Sequence, residues 1–214
     1  MINEPVIIAG KAFGNPSIFL AENLLREARR QKQIPEGQIP SVCVLDPDGD
    51  ILAYLLKNNM CELDPHWACY HSKLYNAHYE GLNFGIVGCA VGASYAVLLA
   101  EQMFVSGCEL LISITSAGMI QAPASDSKFI LIESALRDEG TSYHYLPVDA
   151  PAELNHQLKE KLSASFKGSL LMVETGKSWT TDAPYRETQP AIELAKSWGA
   201  ISVEMEAAAL YAYA

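Results

Sequence analysis

The chain has 214 residues, half of them apolar, and carries 15 Lys and Arg against 25 Asp and Glu, a formal net charge of −10. With a mean hydropathy of +0.07 and an isoelectric point near 4.9, this composition excludes a mainly disordered chain and a binder that neutralises nucleic-acid phosphates through a basic surface. No apolar run reaches the roughly 18 residues a membrane span needs. The amino terminus MINEPVIIAG lacks the basic region of a secretory signal, and the five cysteines lie in apolar surroundings such as SVCVL. Both features lead us to expect a cytoplasmic protein with reduced thiols and no membrane partner.

Short apolar runs alternate with helical periodicities, which is the pattern of an α/β chain. Ser17 is placed to cap a helix over LAENLLREARRQK, where Leu20, Leu24 and Leu25 share a face. Strands are expected at Ser41–Leu45, Lys73–Glu80 and Asn83–Gly88, with turn chemistry at Asp46–Asp50. Ala93–Ser106 reads as a buried helix stopped by Gly107. Strands at Glu109–Thr115 and Lys128–Ser134 follow, then a helix over AELNHQLKEKLSASF and a strand at Ser169–Thr175. A helix at Gln189–Trp198, a strand at Ala200–Val203 and a helix beginning near Glu204 complete the order. No linker, repeat or low-complexity segment divides the chain. The expectation is therefore one domain over residues 1–214, a twisted mixed central sheet flanked by helices. The last helix stops at Tyr213–Ala214 without a cap or polar tail, as if a C-terminal part were missing.

In open α/β sheets, ligands bind at the carboxyl ends of strands and against helix amino termini. Two such places are rich in small residues: GIVGCAVGAS (Gly85–Ser94) and ITSAGM (Ile114–Met119). Backbone amides and hydroxyls in these turns could form a concave anion site, although glycines there also serve tight packing. VEMEAAALY (Val203–Tyr211) sets two carboxylates around a Met where a strand gives way to an Ala-rich helix. They could favour the helix dipole, or one could accept hydrogen bonds from vicinal sugar hydroxyls and stabilise charge at an anomeric carbon. Cys61, His66, Cys69 and His71 in CELDPHWACYH fit no zinc spacing, so no metal site is expected. A Cys–His nucleophilic pair from the same residues lacks an oxyanion-loop signature.

Taken in order, GIVGCAVGASYAVLLAEQM, ELLISITSAGMI, SALRDEGTSYHYLP, TTDAPYRET and VEMEAAALY resemble the nucleoside phosphorylases of the uridine phosphorylase and hexameric purine nucleoside phosphorylase type, a group that includes related nucleosidases. The resemblance runs from about Asn83 to the end. It implies phosphorolysis of a nucleoside to free base and ribose 1-phosphate, with phosphate as co-substrate and no metal or organic cofactor. It also implies a homo-oligomer, a dimer or a hexamer built from dimers.

Carried onto this sequence, the resemblance gives Glu206 the ribose 2′- and 3′-hydroxyls, packs Met205 beside the ribose and places Glu204 in the same sugar site. Ser94, Thr115, Ser116, Gly88 and Gly118 would line the phosphate and ribose region, with His71 as a further contact. Tyr185 would stack on the base. Arg186, the second expected catalytic residue, would contact a base edge or an anion. The family's three phosphate arginines have no counterpart: Gly49 or Asp50, His71 or Lys73, and Ser113 stand in their places. Arg137 is another possible phosphate ligand. A hydrolytic nucleosidase and an inactive nucleoside-binding module are the alternatives, since Lys or His does not replace a planar bidentate donor.

Overall fold

The computed structural model describes residues 11–122, 129–167, 169 and 171–214. Lys128 and Leu170, which fall in two of the expected strands, lie outside the described residues, as does the MINEPVIIAG segment. Contacts divide the chain into two compact units, Ser17–Ser116 and Ala117–Ala214, the second including the described residues 11–16.

The Ser17–Ser116 unit opens with α1 (Ala21–Lys32), which buries Leu25 and Ala28 and carries three basic residues in its last turn. Leu20, not Ser17, is its N-cap. The Ser17 hydroxyl donates to the Phe19 carbonyl, so it caps no helical amide. Then follow β1 (Val42–Asp46), α2 (Asp50–Lys57), β2 (Cys61–Leu63), β3 (Tyr75–Tyr79), β4 (Leu82–Gly88), α3 (Ala93–Val105) and β5 (Leu110–Ser113). The sheet order is β2-β3-β4-β1-β5. β1 lies parallel between β4 and β5, while β2, β3 and β4 form an antiparallel meander. The β3–β4 hairpin turns on Glu80 and Gly81, both at positive φ, as a tight two-residue turn requires. Helix α2 follows the expected turn without any separate helical signal of its own. Its Leu55 packs with Val44, Ala77 and Ile86 on one face of the sheet.

The second unit contains β6 (Gly118–Met119), β7 (Phe129–Asp138), β8 (Ala152–Glu153), α4 (His156–Phe166), β9 (Val173–Thr181), α5 (Gln189–Trp198), β10 (Ala200–Glu204) and α6 (Ala207–Tyr213). Its order is β6-β10-β9-β7-β8, with β7, β9 and β10 parallel and the two short edge strands antiparallel. The mixed α/β class is as expected, but the strands are shared between two five-stranded sheets. β6, next in the chain after β5, pairs with β10 instead of extending the first sheet.

Other elements differ from the sequence reading. β9 runs to Thr181 rather than ending at Thr175, and its later part is polar because Ser178 and Thr180 hydrogen-bond inside the protein. Residues Ala152–Glu153 pair with β7 instead of starting a helix. The helix begins after Asn155, whose side chain accepts from the amides of Gln157 and Leu158. In the same unit, α6 presents Ala207 and Ala208 to Ala135 and Ala152, and small side chains let the helix approach the sheet closely.

Candidate functional site

In the Ser17–Ser116 unit, β1, β4 and β5 run parallel and end at a common edge: Asp46 is in register with Gly88, and Leu45 with Ser113. The turn after β1 is fastened by Asp46, which is buried. Its carboxylate accepts from the Gly49 amide at 3.0 Å and the Leu52 amide at 2.8 Å, while its carbonyl accepts from Cys89. Gly88 serves packing: a Cβ there would stand 2.8 Å from Leu52 of α2. Ser94 lies exposed in the first turn of α3, whose N-cap, Gly92, has no side chain to offer. His71 is also exposed. The Tyr95 hydroxyl donates to the His71 carbonyl at 2.8 Å, tying its loop to that turn of α3. The hydroxyl loop after β5 has an occupant the sequence reading missed. The Ser116 amide donates to Asp48 Oδ2 at 2.5 Å, and the Ser116 hydroxyl to Asp48 Oδ1 at 3.0 Å. The neighbouring Thr115 hydroxyl donates to the Ser116 carbonyl.

In the other unit the parallel strands β7, β9 and β10 also end together, with Arg137 opposite Thr180 and Thr180 opposite Glu204. Glu204 is buried and saturated with donors. Oε1 accepts from Thr180 at 2.5 Å and Ser178 at 3.2 Å; Oε2 accepts from the amides of Glu206 at 2.8 Å and Ala207 at 2.7 Å. Thr180 Oγ1 in turn accepts from the Ala208 amide. Burial raises the Glu204 carboxyl above its ordinary range, and hydrogen bonds from Thr180, Ala207, Glu206 and Ser178 pull it back down. Glu204 is thus the clamp that caps the start of α6, as the helix-dipole reading of VEMEAAALY expects. Glu206 occupies the N-cap position of α6 at 2% exposure, and its Oε2 accepts from the amide of the half-buried Met205. Gly118 on β6 faces Val203, which a Cβ would meet at 2.8 Å.

Arg137 is a structural residue. Its guanidinium donates to Ser142 Oγ and to the carbonyls of Leu146, Pro147 and Ala150, and lies 4.1 Å over the Tyr143 ring. It holds the 142–150 loop closed and is not disposed to bind phosphate. Tyr185 and Arg186 sit on a short 3-10 turn after β9, and Tyr185 is fully exposed at 99%. Asp182 accepts from the Gly140 amide, and no ion pair to Arg186 occurs among the described residues.

The structure therefore gathers Glu204, Met205 and Glu206 at one sheet edge, with Ser178 and Thr180 beneath Glu204. At the edge of the other sheet it gathers Gly88, Ser116 and the unexpected Asp48. A polar strand interior, SWTT beside VEME, was the available signal for the first set. A cavity of about 440 Å³ on the β2–β3–β4 hairpins, lined by Glu62, Asp64, His66, Asn76 and His78, includes none of the expected site residues. Among the described residues, no group of three or more His, Cys, Asp or Glu is placed to hold a metal.

The family model described as the Phosphorylase superfamily matches residues 42–214. A guanosine phosphorylase from Halorubrum lacusprofundi is 25% identical over 142 residues, covering 66% of this chain and 59% of that protein. A DeoD-type purine nucleoside phosphorylase from Streptococcus thermophilus is 28% identical over 140 residues, covering 64% and 59%. The chain thus spans about 59% of the length of these two relatives. The crystal structure of a uridine phosphorylase from Vibrio fischeri superposes with a TM-score of 0.68 at 23% identity, over 83% of this chain and 73% of that one, a likeness of fold. With the family model spanning both sheets and every segment that carries the resemblance, the chain belongs to the phosphorylase superfamily.

Proposed function

We propose that the protein cleaves the N-glycosidic bond of a nucleoside and releases the base. One observation carries this reading: Glu206 is set at the carboxyl end of β10 by the Glu204 clamp, with Met205 between them. A carboxylate withdrawn from water hydrogen-bonds vicinal sugar hydroxyls more strongly than an exposed one. Its charge also favours the positive charge that develops at the anomeric carbon as the bond to the base lengthens. Met205 supplies an apolar contact for the ribose. Tyr185 and Arg186, exposed after β9, are the groups we assign to stacking on the base and contacting its edge or an anion. Ser94, Thr115, Ser116 and His71 are assigned to the acceptor and sugar oxygens.

The relatives are named as phosphorylases, which supports phosphate as the acceptor and ribose 1-phosphate as a product. Water is a second reading, favoured by the carboxylate of Asp48 on Ser116. Either reaction needs no metal or organic cofactor on this assignment, and we place it in a cytoplasmic homo-oligomer. The test is chromatographic: incubate the protein with uridine, inosine, guanosine and adenosine and measure free base. Release from at least one is expected. No release from any of them, with the protein folded, contradicts the reading.

A further inference from the structure

We propose that the cavity on the β2–β3–β4 hairpins is a further binding site, which takes a short aliphatic diamine in its doubly protonated form. The sheet presents two different faces here. Val44, Ala77 and Ile86 make the apolar one, packed with Leu55 of α2. On the other, cross-strand register sets Glu62 opposite Asn76 and His78 opposite Asn83, and all four line the cavity of about 440 Å³. Residues 38–40 and 65–66 wall this polar face instead of leaving it flat to water, and the volume falls within the range of small-molecule pockets. Gly37 lets the chain close on that wall: a Cβ there would stand 2.3 Å from His66 Nδ1.

Charge and unmet hydrogen bonds define the ligand. Glu62 and Asp64 line the cavity and no Lys or Arg does, so its walls favour a cation. Asp64 is 5% exposed. Its Oδ1 accepts from the amides of His66 and Trp67, both at 2.8 Å, which fixes the carboxylate and leaves Oδ2 without a partner among the described residues. Asn76 Oδ1, in the same lining, is buried and has no partner either. Buried acceptors without donors are costly, and an ammonium, which only donates, supplies what these oxygens lack. Glu62 and Asp64 stand two residues apart on one side of the chain, about 7 Å along it. The two ammonium groups of a four-carbon diamine are separated by a similar distance, and Ile39, Pro40 and Pro65 offer apolar contact to the alkyl chain between them. A bare divalent ion is the poorer match, because no three acids or histidines among the described residues stand together as its ligands would.

The site does not depend on nucleoside cleavage, and its test needs no nucleoside. Calorimetry at constant ionic strength measures binding of 1,4-diaminobutane to wild type, Glu62→Gln, Asp64→Asn and Glu160→Gln, with thermal unfolding to show that each is folded. Asn at position 64 keeps an Oδ1 acceptor for the His66 and Trp67 amides, and Glu62 is exposed, so both variants preserve the local structure. Wild type should bind the diamine saturably, and 1,4-butanediol, an uncharged chain of the same carbon number, should not bind. Glu62→Gln and Asp64→Asn should each weaken the diamine about tenfold. Glu160→Gln, which neutralises an exposed acid on α4, should leave it unchanged. Folded wild type that shows no saturable diamine binding would overturn the proposal. So would binding that Glu62→Gln leaves unchanged, or that Glu160→Gln weakens equally, as a general attraction to an acidic surface would.

Discussion

Each sheet ends a parallel strand in an acid–x–acid turn, Asp46-Pro47-Asp48 after β1 and Glu204-Met205-Glu206 after β10, and the two turns use their acids differently. In both, the first acid is buried and fastens the chain that follows. Asp46 accepts from the amides of Gly49 and Leu52; Glu204 accepts from those of Glu206 and Ala207. The second acids diverge. Glu206 is buried at the helix N-cap, whereas Asp48 is exposed and reaches across to Ser116. The difference starts beneath the first acid: Glu204 rests on the hydroxyls of Ser178 and Thr180, while among the described residues the carboxylate of Asp46 accepts from backbone amides. A buried side-chain network holds its second acid out of water. A backbone turn leaves its second acid free to fill a neighbouring loop.

The comparison breaks most visibly if the first acids are removed. Glu204→Ala leaves two hydroxyls and two amides without their acceptor in a buried place, and should lower unfolding stability in urea by about 3 kcal/mol or more. Asp46→Ala, which orphans two amides, should cost less, about 1–3 kcal/mol. Equal losses would mean that the hydroxyl floor contributes nothing. Arg137→Lys, elsewhere at the edge with Glu204, exchanges a fork that serves four acceptors for a single ammonium. A loss of about 1–2 kcal/mol is expected, with proteolysis concentrated in residues 142–150.

The smallest effect is on pH dependence. Burial holds the Glu204 carboxyl above its unfolded value, so the folded protein binds that proton more tightly. The stability Glu204 contributes is full below the ordinary carboxylate range and declines as pH rises through its elevated folded value. The difference in unfolding free energy between wild type and Glu204→Gln should therefore shrink as pH increases. A difference that grows would reverse the assigned direction.

Much of this was legible in the sequence where burial and periodicity coincide. β1, β4 and β5 are short apolar runs, α3 is an apolar helix, and Pro190 and Gly199 bracket α5. β9 was misplaced because its inward residues are the polar ones that hold Glu204, so the very feature that builds the site hides the strand. α2 was hidden behind a strong turn signal. The VEMEAAALY segment stood out, but only the coordinates separate Glu204 as clamp from Glu206 at the N-cap. Gly88 was readable as a ligand loop or as packing, and a Cβ there would meet Leu52 of α2. The contact of Asp48 with Ser116 spans 68 residues and leaves no local pattern in either segment.

Glu206 carries the central claim, and one measurement tests it most directly: kcat/KM for base release from the best nucleoside, in wild type and in Glu206→Ala, with thermal unfolding of both followed in parallel. The account predicts a loss of about 100-fold or more, some 3 kcal/mol of transition-state stabilisation, in a variant that still unfolds cooperatively. A folded Glu206→Ala protein that keeps activity within a few-fold of wild type would contradict it.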